Sequence, residues 1–291
     1  MRKKPKTKYN TIDMKQIISI SLFLLIIGCS SNSDKHSSNN SNKRESKPAS
    51  TIRISREIAV TDSFFQITNI SGGMIEFTQG PFSIISEGDS SSLSHYTYEF
   101  DGGILTISTP LERNNDYQTY PTSSNVVIHV SCPDLRAVAI CSGGGFRSKS
   151  LLKGEEFQFG GMVGGEIDVD SIECQRFRYE SNGSTSSHFS QIKCDECQII
   201  SSGNGTISLC VKSDKSTYLD ISGQSTLTAD ISSPLTESII ETDGSVSFKL
   251  DTDNFRMRAI RGVIEMSGYA LNQEIQQSRD VVIRNDLKIG K

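Results

Sequence analysis

Short alternations of apolar and polar residues run along most of the chain from residue 53 onward. Typical stretches are REIAV, FFQITNI, GMIEFTQ, GILTIST and NVVIHVS. Gly, Asn, Asp and Ser separate them, as turn residues separate strands. A helical arrangement of apolar positions is confined to ALNQEIQQ, residues 270–277, where the pattern predicts a short helix. The sequence as a whole therefore predicts an all-β fold.

The second half of the chain repeats a unit of about twenty residues. One column of the repeat holds glycine at spacings of 18 to 21 residues, at Gly144, Gly164, Gly183, Gly203, Gly223, Gly244 and Gly262. A short alternating strand follows each of them, such as EIDVDSI, TISLCV or TLTADI. Repetition at this period is the signature of a solenoid, in which each strand pairs with its equivalent in the next coil about 4.8 Å away. We expect a β-solenoid preceded by an irregular N-terminal strand region.

The glycines of the stretch FGGMVGGEIDVDS, residues 159–171, have three possible interpretations: a dinucleotide-binding loop, a calcium-binding repeat or a corner of the chain. A dinucleotide-binding loop would need a following helix, whereas EIDVDS reads as a strand. A calcium-binding repeat would need aspartates in successive coils, and the next coils offer SNGSTSS and SSGNGTI instead. Glycine also permits positive φ or close backbone approach. The glycines are therefore predicted to mark corners of the solenoid.

The first 28 residues have the features of a secretory signal. Six basic residues precede the apolar run IISISLFLLII, which ends at Gly28 and Cys29. A small residue directly before a cysteine resembles the bacterial lipobox, and this resemblance implies that Cys29 carries the lipid as the first mature residue. A plain signal peptide or apolar anchor with a chance cysteine is the alternative. Translation could start at Met1 or at Met14.

The composition changes twice after the signal. Residues 29–52 are dominated by Ser, Asn and Lys, and residues 30–51 hold no large apolar residue, which predicts a flexible tether. Residues 53–270 form the predicted solenoid domain, and residues 271–291 a C-terminal cap or tail. Lipid, tether and domain in this order are typical of an envelope lipoprotein, exposed on the outer membrane or facing the periplasm.

The charge of the mature chain argues against polyanionic partners. Residues 1–28 contain six of the 30 basic and one of the 34 acidic residues, so the remainder has a net charge of −9. An acidic chain without a basic block is a poor ligand for nucleic acid or for an anionic bilayer. We expect membrane attachment only through the N-terminal lipid.

Two parts of the chain carry a resemblance to a known family. The entry strands REIAVTDSFFQITNISGGMIEFTQGPFSIISEGD and FDGGILTIST, together with the glycine-punctuated coils of residues 135–268, resemble the putative auto-transporter adhesin head domain, called the GIN domain, of Bacteroidetes envelope proteins. The resemblance covers residues 53–270. It implies a β-helical body and an adhesive role, and it supplies no catalytic residues.

The six cysteines beyond Cys29 include a C-x-x-C at Cys194 and Cys197. Cys174 and Cys194 occupy equivalent positions in adjacent coils, so they can stack as small interior residues. Three interpretations stay open: structural thiols, a disulfide among Cys174, Cys194 and Cys197, or a metal site. With one C-x-x-C and no histidine at finger spacing, we predict neither a metal nor a cofactor.

Other chemistry is weakly supported by the sequence. Asp168 and Asp170 share a strand face, but no acid–base pair at a defined separation can be named for glycoside hydrolysis. The tripeptide Asp-Ser-Ile at 170–172 resembles a short O-glycosylation acceptor of Bacteroidetes secreted proteins, which would make Ser171 a carrier.

The sequence predicts a non-enzymatic protein of the cell envelope, an adhesin or interaction scaffold for an unknown protein or glycan. A periplasm-facing binding or sensing module is the alternative, and a carbohydrate-active enzyme ranks third. Because solenoid ends need covering, a homo-oligomer is also compatible with the pattern.

Overall fold

The structure is a computed structural model that describes residues 53–110, 112–114, 117–119 and 124–290. The predicted signal peptide, Cys29 and the tether lie outside the described residues. None of the described helices is long and apolar enough to cross a membrane. The elements are β1 (Arg53–Glu57), β2 (Gln66–Ile70), β3 (Met74–Gln79), β4 (Ser83–Asp89), α1 (Ser90–Leu93), β5 (Thr97–Asp101), β6 (Ile104–Ser108), β7 (Glu112–Asn114), β8 (Tyr117–Thr119), β9 (Val127–Cys132), β10 (Ala137–Ile140), β11 (Gly145–Lys153), β12 (Glu156–Gly161), β13 (Glu166–Glu173), β14 (Arg176–Ser181), β15 (Ser186–Ser201), β16 (Thr206–Gly223), β17 (Thr226–Gln277) and β18 (Val281–Ile289).

The strands stack into a β-solenoid of about eight turns, which confirms the predicted fold class. Two ladders of parallel strands run through it. We call ladder A the series β9, β3, β11, β13 and the first parts of β15 and β16, and ladder B the series β6, β2, β10, β12, β14 and the later parts of β15 and β16. The long strand β17 continues both ladders.

The interior of the coils is filled by alternate residues of both ladders. Phe189 of ladder A lies edge-on against Phe177 and Tyr179 of ladder B, with ring centroids 5.1 and 5.5 Å apart, and all three are buried. Because one coil encloses no interior alone, burial of these rings depends on the coils above and below. Each ring contributes on the order of 2–3 kcal/mol through removal from water.

The corner glycines confirm the interpretation of the repeat. A Cβ atom on Gly183 would lie 1.1 Å from the carbonyl oxygen of Met162, and one on Gly203 would lie 2.0 Å from that of Gly183. Gly164 and Gly223 adopt φ values of +68° and +72°, a backbone conformation that residues with a Cβ atom rarely adopt. Stacked coils therefore approach so closely at this corner that a side chain has no room.

The N-terminal strands are more regular than the sequence suggested. β2 and β3 form a coil of ladders A and B, because β2 pairs in parallel with β6 and β10, and β3 with β9 and β11. The coil of β6 and β9 therefore stacks before that of β2 and β3, although it follows in the chain. The antiparallel strands β4, β1 and β5 then cover this end of both ladders.

The helix predicted for residues 270–277 is wrong, because these residues belong to β17. Asn272 donates its amide to the side chain of Asn254 in the preceding coil, and Ile275 packs against the core. Stacking on a preformed coil outweighs the helix propensity of Ala, Leu, Gln and Glu. The predicted C-terminal cap or tail provides β18, which pairs with β17 as a further parallel strand.

Candidate interaction face

One surface of ladder A is a patch of polar, mostly hydroxyl-bearing side chains that are exposed or half-buried. Residues of β15, β16 and β17 lie in register there, with Ser186 beside Thr206 beside Thr226. The residues between them, such as Ile207 and Leu227, are buried, so alternation directs the polar set outward. We call this set the hydroxyl face; its members are Ser186, His188, Ser190, Thr206, Ser208, Thr226 and Thr228.

The members of the hydroxyl face bond one another along and across the strands. Thr206 donates its hydroxyl to Ser186 Oγ at 3.1 Å, and Ser190 Oγ lies 2.9 Å from His188 Nε2. A hydroxyl has one proton to donate and two lone pairs. The face therefore keeps hydrogen-bonding capacity for a ligand after its internal bonds are made.

Ion pairs between coils border the hydroxyl face on its N-terminal side. Lys149 Nζ lies 2.8 Å from Asp168 and 2.9 Å from Asp170, and Arg147 Nε lies 3.4 Å from Asp168. The hydrogen bonds that Lys149 donates to Asp168 and, second in importance, to Asp170 raise the pKa of Lys149. Both aspartates whose shared face the sequence singled out thus serve as partners of one lysine.

A second ion pair borders the face on its C-terminal side. Lys249 Nζ lies 2.6 Å from Asp230, and this hydrogen bond raises the pKa of Lys249. On both borders each of these cations is paired with a carboxylate. The ligand chemistry that fits the region between them is polar and uncharged.

The three cysteines of the candidate disulfide lie together at another corner. Cys174 and Cys194 follow the paired residues Glu173 and Lys193 of adjacent coils, and Cys197 pairs with Phe177. A side-chain hydrogen bond with Cys194 that favours the protonated thiol, followed by burial, raises the pKa of Cys197 well above its usual value. Burial raises the pKa of Cys174 to about 12, and the electrostatic effect of the nearby Cys194 thiol acts in the same direction.

These raised pKa values favour structural thiols, because a thiol that rarely ionises is a poor nucleophile. The six cysteines of the described chain are thiols in this structure, and the disulfide stays a prediction. No three His, Cys, Asp or Glu side chains among the described residues are arranged to hold a metal ion. Ser171 lies on β13 beside Leu151 and is partly exposed, and its glycosylation also stays a prediction.

A shallow groove of about 290 Å³ on ladder B was not predicted from the sequence. Tyr218, Arg256 and Gln276 line it, and Arg256 lies 3.0 Å from Glu237 and 3.9 Å from Glu274. Burial raises the pKa of Tyr218, as does the nearby Asp220 carboxylate. A column at the repeat spacing through residues 218, 237, 256 and 274 was the available signal.

Comparison with known proteins decides the family. The family described as putative auto-transporter adhesin, head GIN domain, matches residues 63–229, more than half of the chain. The chain belongs to this family. No curated protein sequence matches the chain.

Solved structures share the fold of this GIN-domain protein. A putative adhesin from Parabacteroides distasonis superposes with a TM-score of 0.63 at 15% identity, covering 82% of this chain and 98% of its own. A putative adhesin from Parabacteroides merdae gives 0.60 at 18% identity, covering 82% and 96%. A putative lipid binding protein from Parabacteroides distasonis gives 0.60 at 14% identity, covering 82% and 97%. At these identities the similarity shows the fold alone.

Proposed function

We propose that this protein is a lipid-anchored adhesin of the cell envelope that contacts its ligand through the hydroxyl face. Membership of the adhesin head family supports the adhesive role. The lipobox-like sequence ending at Gly28 and Cys29 supports the anchor, and the tether of residues 29–52 would give the domain reach.

The observation that carries the proposal is the hydroxyl face between two borders whose lysines are paired with carboxylates. Its side chains stand on parallel strands that hold them rigidly, so little conformational entropy is lost when a ligand binds. An extended, polar and uncharged ligand matches it best, either a glycan chain or a hydroxyl-rich protein segment. An ionic ligand would find the charges of Lys149 and Lys249 already paired with carboxylates.

Introducing charge into the face tests the proposal. The variant carrying Thr206→Glu and Thr228→Glu is expected to bind target cells at least tenfold more weakly than the parent, because a carboxylate loses hydration when an uncharged ligand covers it. The matched control carries Gln158→Glu and Gln198→Glu, outward positions on strands of ladder B. Binding of the tagged, purified domain to whole cells is measured by flow cytometry, before and after glycosidase or protease treatment of the target.

Equal binding by the face variant and its control would contradict the proposal, provided that both show the parent's circular dichroism. Loss of binding after glycosidase treatment would assign the ligand to glycans, and loss after protease treatment to proteins.

A second candidate is a periplasm-facing binding module. The groove beside Tyr218 favours it, since it offers a concave surface with an aromatic ring and an arginine, and one solved structure of the same fold is described as a putative lipid binding protein. Substitutions in the groove would then impair binding, whereas substitutions on the hydroxyl face would not.

A further inference from the structure

The two ends of the solenoid are covered differently. At the N-terminal end the antiparallel strands β4, β1 and β5 close both ladders, and Phe64 and Leu93 are buried there. At the other end β18 pairs with β17 alone within the described chain. An uncovered coil leaves both a strand edge and part of the core open.

Side chains of the last coil show this opening directly. Ile264 and Met266 of β17 are buried, whereas Ile283, which lies beside Ile264, is only partly buried. Val281 and Leu287 share this partial burial against the core, and Ile289 is 57% exposed. The interior-facing side chains of β18 therefore lack the neighbour that every earlier coil has.

The free edge of β18 presents the N–H and C=O groups of its odd-numbered residues. The Gly290 N–H donates to the Ala270 carbonyl, and backbone groups of alternate residues point to opposite sides of a strand. Consistent with this, the Leu287 N–H points away from β17 and donates to Asn285 Oδ1 of its own strand. The same odd-numbered residues carry the apolar side chains that face the interior.

The sequence of β18, VVIRNDLKI, is complementary to its own reverse. In an antiparallel pair centred on Asn285, Ile283 of each copy lies opposite Leu287 of the other, and Val281 lies opposite Ile289. All of these are odd-numbered, so both copies direct their free backbone groups at each other. On the outer surface Arg284 of each copy lies opposite Asp286 of the other.

We propose that the C-terminal coil binds a second copy of this chain through antiparallel pairing of the two β18 strands. The contact is isologous, so the two copies form a closed dimer rather than a filament. It covers the open apolar side chains and forms two cross-strand pairs of opposite charge. Arg284 already lies 2.6 Å from Glu265, so it would bridge two carboxylates, and Asn285 would release the Leu287 N–H to the partner.

A charge reversal tests the pairing without touching the core. Arg284 and Asp286 are both exposed and point outward. Arg284→Asp alone places like charges opposite each other in a homodimer, as does Asp286→Arg alone, so each variant is expected to dimerise at least tenfold more weakly than the parent. An equimolar mixture of the two variants restores two opposite-charge pairs and is expected to form heterodimers with parental affinity.

The measurement is sedimentation velocity of the full mature chain in detergent over a hundredfold range of concentration. Asp253→Arg, an exposed charge reversal elsewhere on β17, serves as the matched control and should dimerise like the parent. Recovery in the mixture would exclude misfolding as the cause of the losses. A parent that stays monomeric throughout, or single variants that dimerise like the parent, would overturn the proposal.

Discussion

Replacing Phe189 with alanine is expected to lower the free energy of unfolding by about 3–5 kcal/mol. Phe189 has no exposed surface, and its ring contacts Phe159, Phe177 and Tyr179 with centroids 5.1 to 5.5 Å away. The substitution removes this apolar contact area and leaves a cavity. Neighbouring coils cannot collapse into it, since the backbone hydrogen bonds of both ladders fix their spacing.

Urea unfolding followed by far-UV circular dichroism measures the effect, because the chain has no tryptophan to report by fluorescence. Phe189→Leu keeps most of the volume and is expected to cost less than half as much. Leu151→Ala, at a side chain 42% exposed, should change the free energy by less than about 1 kcal/mol. A loss at Phe189→Ala no larger than at Leu151→Ala would contradict the shared interior.

Gly183→Ala is expected to be the most disruptive single-methyl addition at the corners, costing about 2–3 kcal/mol. The new Cβ would fall 1.1 Å from the Met162 carbonyl oxygen, so two stacked coils must separate locally. Backbone, unlike a flexible side chain, cannot rotate out of the way.

Gly160→Ala is the matched control for this prediction. A Cβ at Gly160 would lie 3.7 Å from the nearest atom, the Glu180 carbonyl oxygen, which is ordinary contact. Its effect is expected to lie within about 1 kcal/mol, with a stabilising contribution from the stiffer unfolded chain. Thermal unfolding by circular dichroism compares the two, and equal melting temperatures would show that the corner has room.

The repeat was predictable because the physics that creates it is local in each coil. Glycine at the corner and alternation after it recur every twenty residues, so Gly183 and Gly203 could be aligned before their contact was known. The order of the first coils could not be predicted, since β2 pairs with β6 and β10 across long stretches of chain. Nothing near β2 in the sequence encodes which distant strand will cover it.

The site was only partly predictable for a related reason. The aspartates at 168 and 170 were visible as a shared face, but their lysine partner lies some twenty residues earlier, in the neighbouring coil. The hydroxyl face requires the register of three coils, which places Thr206 beside Ser186. The helix predicted for residues 270–277 was wrong because helix propensity depends on local sequence, whereas the strand forms by pairing with the neighbouring coil.

Protease shaving of intact cells tests the central claim, that a lipid-anchored domain adheres at the cell surface, most directly. The domain carries a C-terminal tag, and a periplasmic protein serves as the leakage control. The account predicts that protease removes the tagged domain from whole cells while the periplasmic control survives, and that Cys29→Ser abolishes the signal on washed cells. Protection of the domain until the outer membrane is broken would contradict the adhesin and favour the periplasmic binding module.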